Sequence, residues 1–117
     1  MKEGDVVLAP FPQADGRVKN RPAVVLCEVP PFGDFLICGV STQLRQRVAG
    51  FDELITGRDP DFRSSGLRRD SLIRLGWLVT LPRSEFIGSV GEVSPERHVR
   101  LLQRFGNLLK QIRRPVR

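Results

Sequence analysis

Lys19-Asn20-Arg21-Pro22-Ala23-Val24-Val25-Leu26 runs a basic, polar cluster straight into an apolar segment with no linker between them. The unbroken Ala, Val and Leu run suits a strand covered on both faces. Pro22 fixes the backbone beside Arg21, so a guanidinium at the mouth of this strand is held more rigidly than one on a free loop. Rigid, planar cations are what phosphate recognition needs. The alternative reading of Arg21 is a surface arginine that ends an edge strand in solvent.

Working outward, Val29-Pro30-Pro31-Phe32-Gly33-Asp34 reads as a turn and Phe35 to Val40 as the returning strand of an antiparallel hairpin. Upstream, Asp5 to Ala9 is a β-branched strand ended by Pro10-Phe11-Pro12. Gln13 to Lys19 follows as a basic loop with the Asp15-Gly16 turn signal, Arg17 and Lys19. Downstream, Phe51 to Ile55 is expected to be a strand with an acidic outer face, and Thr56 to Ser65 a loop. Ser71 to Leu75 and Trp77 to Leu81 read as strands parted by Gly76, which marks a bulge or sharp bend; Glu85 to Val93 reads as a last strand or hairpin half.

Ser94-Pro95-Glu96 is a helix start, with Ser94 as cap, Pro95 at the first helical position and Glu96 at the positive dipole end. The helix is expected to reach about Ile112. Leu101, Leu102, Phe105, Leu108, Leu109 and Ile112 form its apolar stripe, while Arg97, Arg100, Arg104 and Lys110 sit off it. Gly106 would be required there by close packing, and Arg113 to Arg117 would fray. The pattern predicts a mainly β fold: one domain over residues 1–117, with seven or so short strands in a small closed barrel or backed sheet and a C-terminal helix packed on it.

Composition narrows the function. The chain has 117 residues, 40% hydrophobic and 27% charged, which suits one globular core. No apolar run approaches the roughly 20 residues that span a bilayer, and Met1 to Asp5 leads into a strand without the pattern of a signal peptide. The expectation is a cytoplasmic protein with no membrane association. Nineteen Lys and Arg against thirteen Asp and Glu give a formal charge of +6, mostly from arginine, which favours a polyanionic partner such as nucleic acid. Cys27, Cys38 and the single histidine, His98, cannot assemble a zinc site; the thiols are expected to be reduced and buried.

Gly4-Asp5-Val6-Val7, Asn20-Arg21-Pro22-Ala23-Val24-Val25-Leu26, Val40-Ser41-Thr42-Gln43 and Ser65-Gly66-Leu67 followed by Ser71-Leu72-Ile73-Arg74-Leu75, in that order and closed by a helix, resemble the MazF/PemK toxins of type II toxin-antitoxin systems. The resemblance covers nearly the whole chain. It implies an SH3-like barrel that forms a homodimer, cleaves single-stranded RNA at short sequences without metal or other cofactor, and is silenced by an antitoxin's acidic, disordered tail. Residue by residue, it places Arg21 on the family's catalytic arginine, Ser41 on the hydroxyl residue ending the third strand, Gln43 on the polar position just after it, and Arg74 on the second arginine of the PemK branch. Arg17, Lys19 and Asn20 are then rim contacts to the RNA backbone. Ser41 lacks the methyl of the usual threonine, and Gly76 stands where PemK-like sequences carry an aspartate proposed as a base. Of the remaining side chains only His98 has an unperturbed pKa suited to base work, and its default reading is packing. Base stacking falls to Phe11, Phe32, Trp77 or arginine planes.

Hairpin register discriminates between two arrangements. Setting Cys27 opposite Cys38 puts Arg21 opposite Leu44 and turns Ser41 to the other face; a register such as Arg21 opposite Ser41 joins the two in one site and keeps the cysteines apart, unless a bulge intervenes. The joint site is the expectation adopted. The rival functions are a non-catalytic nucleic-acid-binding barrel and an interaction module whose arginines receive an acidic peptide.

Overall fold

A computed structural model describes residues 1–111 and Arg114. Six strands, β1 (Asp5–Pro12), β2 (Val18–Val29), β3 (Asp34–Ser41), β4 (Glu53–Ile55), β5 (Ser71–Leu81) and β6 (Gly88–Glu92), form one sheet in the order β4-β5-β3-β2-β1-β6. Every neighbouring pair is antiparallel. With β4 and β6 at the two edges, the sheet is a curled half-barrel rather than a closed ring. Two helices complete the fold, α1 (Phe62–Ser65) and α2 (Pro95–Lys110). None of the described helices is long and apolar enough to cross a membrane.

Side-chain alternation produces two apolar clusters, one on each face. Val6, Val24, Leu26, Cys38, Val40, Ile73 and Leu75 meet Leu101, Leu102 and Phe105 of α2 on the first. Val7, Ala9, Phe11, Ala23, Val25, Phe35 and Ile37 gather on the second with Trp77, Val79 and Leu81. Both faces are therefore dry, which accounts for the unbroken apolar runs in β2 and β3.

The two strands expected on either side of Gly76 are one continuous β5 with the expected irregularity inside it. Cys38 pairs with Leu78 but Val40 pairs with Ile73, so residues 74–77 form an expanded bend. The bend reverses parity: Ile73 and Leu75 join the first cluster, whereas Trp77, Val79 and Leu81 join the second. The first strand does not end at Pro10 but continues to Pro12. Beyond Leu8 it has no β6 partner, so prolines without an N–H are tolerated on its open side.

Three expectations about the C-terminal half are corrected. Residues 56–65 are not all loop, because α1 lies within them, closed by Gly66 at φ 75°. Asp52 and Glu53 do not form an acidic outer face: both are buried. Arg97, Arg100 and Arg104, off the apolar stripe of α2, clasp that acidic segment. Arg97, itself buried, reaches Glu53 at 2.8 Å and Asp61 at 2.8 Å, and Arg100 reaches Glu53 at 3.0 Å. Arg104 Nη1 donates to the Asp52 carbonyl at 2.9 Å. Leu109, expected in the apolar stripe, is exposed.

The start of α2 follows expectation. Ser94 Oγ accepts from the Arg97 N–H at 3.1 Å, and Pro95 occupies the first turn. Gly106 is not demanded by packing, since a Cβ there would meet open space. Ile112 and all of the Arg113 to Arg117 tail except Arg114 lie outside the described residues.

Candidate active site

The β2–β3 ladder pairs Ala23 with Gly39 and Val24 with Cys38, the register in which Arg21 and Ser41 belong to one face. A bulge between Val25 and Cys27 then sets Cys27 against Leu36, so the two cysteines never oppose each other. Both thiols are free. Burial pushes the Cys38 thiol up to about 12 and raises that of Cys27 as well, which keeps both neutral and unreactive at pH 7.

Arg21 and Ser41 line a cleft of about 400 Å³. Its apolar wall includes Leu8, Pro22 and Leu67, and its opposite rim brings Arg68 and Arg69, exposed residues that make no ion pair among the described residues. The rim is positioned by Gly66. A Cβ at that residue would collide with the Val90 carbonyl, so only glycine lets the chain leave α1 hard against β6 and turn into the cleft.

Ser41 is buried, and its Oγ accepts from the Gln43 N–H at 3.0 Å, leaving its own proton for another acceptor. Gln43 is exposed and does not line the cleft. Arg17, Lys19 and Asn20 are exposed on the β1–β2 hairpin, a tight connection in which the Gln13 N–H donates to the Arg17 carbonyl. Lys19 and Asn20 belong to β2 itself, opposite Phe11 and Pro10, and not to a loop.

The Arg21 guanidinium is half-buried and oriented by two groups. Its Nη2 donates to Gln13 Oε1 at 3.0 Å, and its central carbon lies 5.5 Å from the centre of the Trp77 ring. Its Nε is buried without a hydrogen-bond partner. Arg74 does not line the cleft but sits over the same indole, also at 5.5 Å. The structure thus brings Arg21 together with Ser41 through the ladder and with Arg74 through Trp77. Gln13 was missed in the sequence, because a polar residue in a basic loop gives no sign of holding a strand residue eight positions on. Trp77 was marked only as a stacking candidate. Phe11, another such candidate, is fully buried against Trp77 and has no face to offer a base, whereas Phe32 is exposed.

His98 is absent from this cleft. Its Nε2 lies 2.8 Å from the Leu26 carbonyl, an acceptor only, so that nitrogen carries the proton and ties α2 to β2. The histidine lines a second cavity of about 450 Å³ beside Lys2 and Asp61. There Lys2 pairs with Asp5 and Glu92, Asp61 pairs with Arg97, and the Glu3 carboxylate accepts from the Glu28 N–H.

The family described as PemK-like, MazF-like toxin of type II toxin-antitoxin system matches residues 2–109. The chain belongs to the MazF/PemK toxin family. Two solved structures of MazF proteins share the fold. The Mycobacterium tuberculosis toxin MazF-mt6 is 18% identical with a TM-score of 0.64, over 90% of this chain and 95% of that one. The MazF of a MazE-MazF crystal structure from Deinococcus radiodurans is 16% identical with a TM-score of 0.64, over 96% of this chain and 97% of that one. No curated protein sequence matches. In this MazF/PemK member the half-barrel and its closing helix hold Arg21, Ser41 and Arg74 on one face of the sheet.

Proposed function

We propose that this toxin is a metal-independent endoribonuclease that cleaves single-stranded RNA within short recognition sequences. The observation that carries the reading is the β2–β3 register, which joins the half-buried Arg21 to the Ser41 hydroxyl in a single cleft of a MazF/PemK member. The ribose 2′-oxygen attacks the adjacent phosphorus, the bond to the 5′-oxygen breaks, and the products carry a 2′,3′-cyclic phosphate and a 5′-hydroxyl. Arg21 stabilises charge building on the phosphoryl oxygens, Ser41 donates to one of them, and Arg74 supplies a second cation. Arg17, Lys19, Asn20 and Gln43 bind the RNA backbone at the rim. The cleft lining holds no carboxylate or imidazole among the described residues. The 2′-hydroxyl proton therefore passes to solvent and the leaving 5′-oxygen takes its proton from solvent, because a guanidinium keeps its proton in the neutral range.

The protein acts as a cytoplasmic homodimer in this reading. Its antitoxin presents an acidic, disordered segment whose carboxylates compete with RNA phosphate for the same arginines. The absence of a carboxylate from the cleft, with Gly76 at the aspartate position, favours one second reading, a non-catalytic RNA-binding barrel. Incubating purified toxin with long single-stranded RNA in EDTA separates the two. Cleavage supports the endoribonuclease, whereas salt-sensitive binding without cleavage supports the barrel.

A further inference from the structure

The chain contains one tryptophan and no tyrosine, and that tryptophan has two arginines from different strands against its ring. Arg21 leaves β2 and Arg74 leaves the bend of β5, yet both guanidiniums sit 5.5 Å from the centre of the Trp77 ring. Two like charges on long side chains would otherwise separate into solvent, since each gains hydration and rotamer freedom by doing so. The ring that holds them is itself fixed. Phe11 packs on it with centroids 4.9 Å apart, and Gly39 lies so close beneath it that any Cβ would overlap the indole. The parity reversal at residues 74–77 is what lets Arg74 and Trp77, three positions apart, share a face.

We propose that Trp77 is a positioning residue of the cleavage reaction, its indole holding the Arg21 and Arg74 guanidiniums as a pair directed at one phosphodiester. The inference rests on the endoribonuclease reading and adds to it the group that orients the cations. A carboxylate in the same place would orient them too, but it would also neutralise them. An indole attracts a cation through its quadrupole and leaves the full charge for the phosphate.

Steady-state cleavage of a single-stranded oligonucleotide by wild type, Trp77→Leu and Trp77→Phe tests the role, with circular dichroism as the check on folding. Trp77→Leu is expected to lower kcat roughly 10- to 100-fold, the cost of misplacing a transition-state group, with KM little changed. Trp77→Phe, which keeps a weaker aromatic face, is expected to fall between the two. Should Trp77→Leu fail to fold, Trp77→Phe decides: reduced kcat at unchanged KM supports the role, and wild-type kcat overturns it. The tryptophan emission of the RNA-free protein is expected to shift in both Arg21→Ala and Arg74→Ala, and an unshifted spectrum in both overturns the pairing. Active wild type with an equally active, folded Trp77→Leu overturns the positioning role alone. Inactive wild type overturns the endoribonuclease reading and this role with it.

Discussion

Val24 stands opposite Cys38 across the β2–β3 ladder. That pairing fixes the odd-numbered residues of β3 and those of β2 up to Val25 on one face, so Arg21 and Ser41 line one cleft while Cys38 packs inward on the α2 side of the sheet. Had Cys27 taken Val24's place, Ser41 would have turned from the cleft.

Ser41 has two assignments, one to the Gln43 N–H that it holds and one to the RNA phosphate it is proposed to meet. Ser41→Ala is expected to reduce kcat by about 10-fold or more, the scale of losing one transition-state donor. Ser41→Thr, which keeps the hydroxyl and restricts its rotamer, is expected to retain most of the rate. Single-turnover kinetics on a short oligonucleotide measures both, and equal rates for wild type and Ser41→Ala would remove Ser41 from the chemistry.

Arg97 is the central cation of a buried cluster with Glu53 and Asp61. Removing it leaves the buried Asp61 carboxylate without a cation among the described residues and Glu53 with Arg100 and Arg104 alone, so Arg97→Met is expected to cost about 3–5 kcal/mol in urea unfolding. A loss below about 1 kcal/mol would place the cluster with ordinary surface ion pairs.

Asp61 makes that cluster sensitive to acid. Burial alone would raise its carboxyl, but hydrogen bonds from the Arg97 side chain and the Ser94 N–H more than reverse this and hold it below the usual carboxylate range. A lowered folded-state value means that its stabilisation is complete above the unfolded value of about 3.9 and disappears as pH falls through the folded one. The stability gap between wild type and Asp61→Asn is therefore expected to be constant from pH 7 to about pH 5 and to shrink below about pH 4. Urea midpoints across that range check it, and a gap independent of pH would contradict it.

Gly106 lies inside α2 with open space where a Cβ would go. Gly106→Ala is expected to stabilise the protein by about 1 kcal/mol, raising Tm by roughly 4 °C. No gain in thermal unfolding would show that something else covers that side of the helix.

The mainly β fold was legible in the sequence because its signals are local. Apolar runs bounded by Pro, Gly and Asp give the strands, Ser94-Pro95 starts α2, and Gly76 marks the bend of β5. What was not legible depends on contacts distant in sequence. Nothing near Arg97 reveals that Glu53 and Asp61 will surround it, so its place off the apolar stripe does not show that it is buried. Likewise Gly106 resembles a packing requirement until the empty space beside it is seen. In the site, parity reduced the register to a choice that Arg21 and Ser41 could decide. The place of Trp77 against two arginines could not be foreseen, because it depends on a parity reversal inside β5 and on Gly39 from β3.

The most direct test of a metal-free active centre built on Arg21 is end-group analysis of single-stranded RNA treated in EDTA with wild type and with Arg21→Ala. Wild type is expected to leave 2′,3′-cyclic phosphate and 5′-hydroxyl ends at short, recurring sequences. Folded Arg21→Ala is expected to be slower by about 100-fold or more. Intact RNA with wild type, or the same cyclic ends at the same rate from Arg21→Ala, would contradict the account.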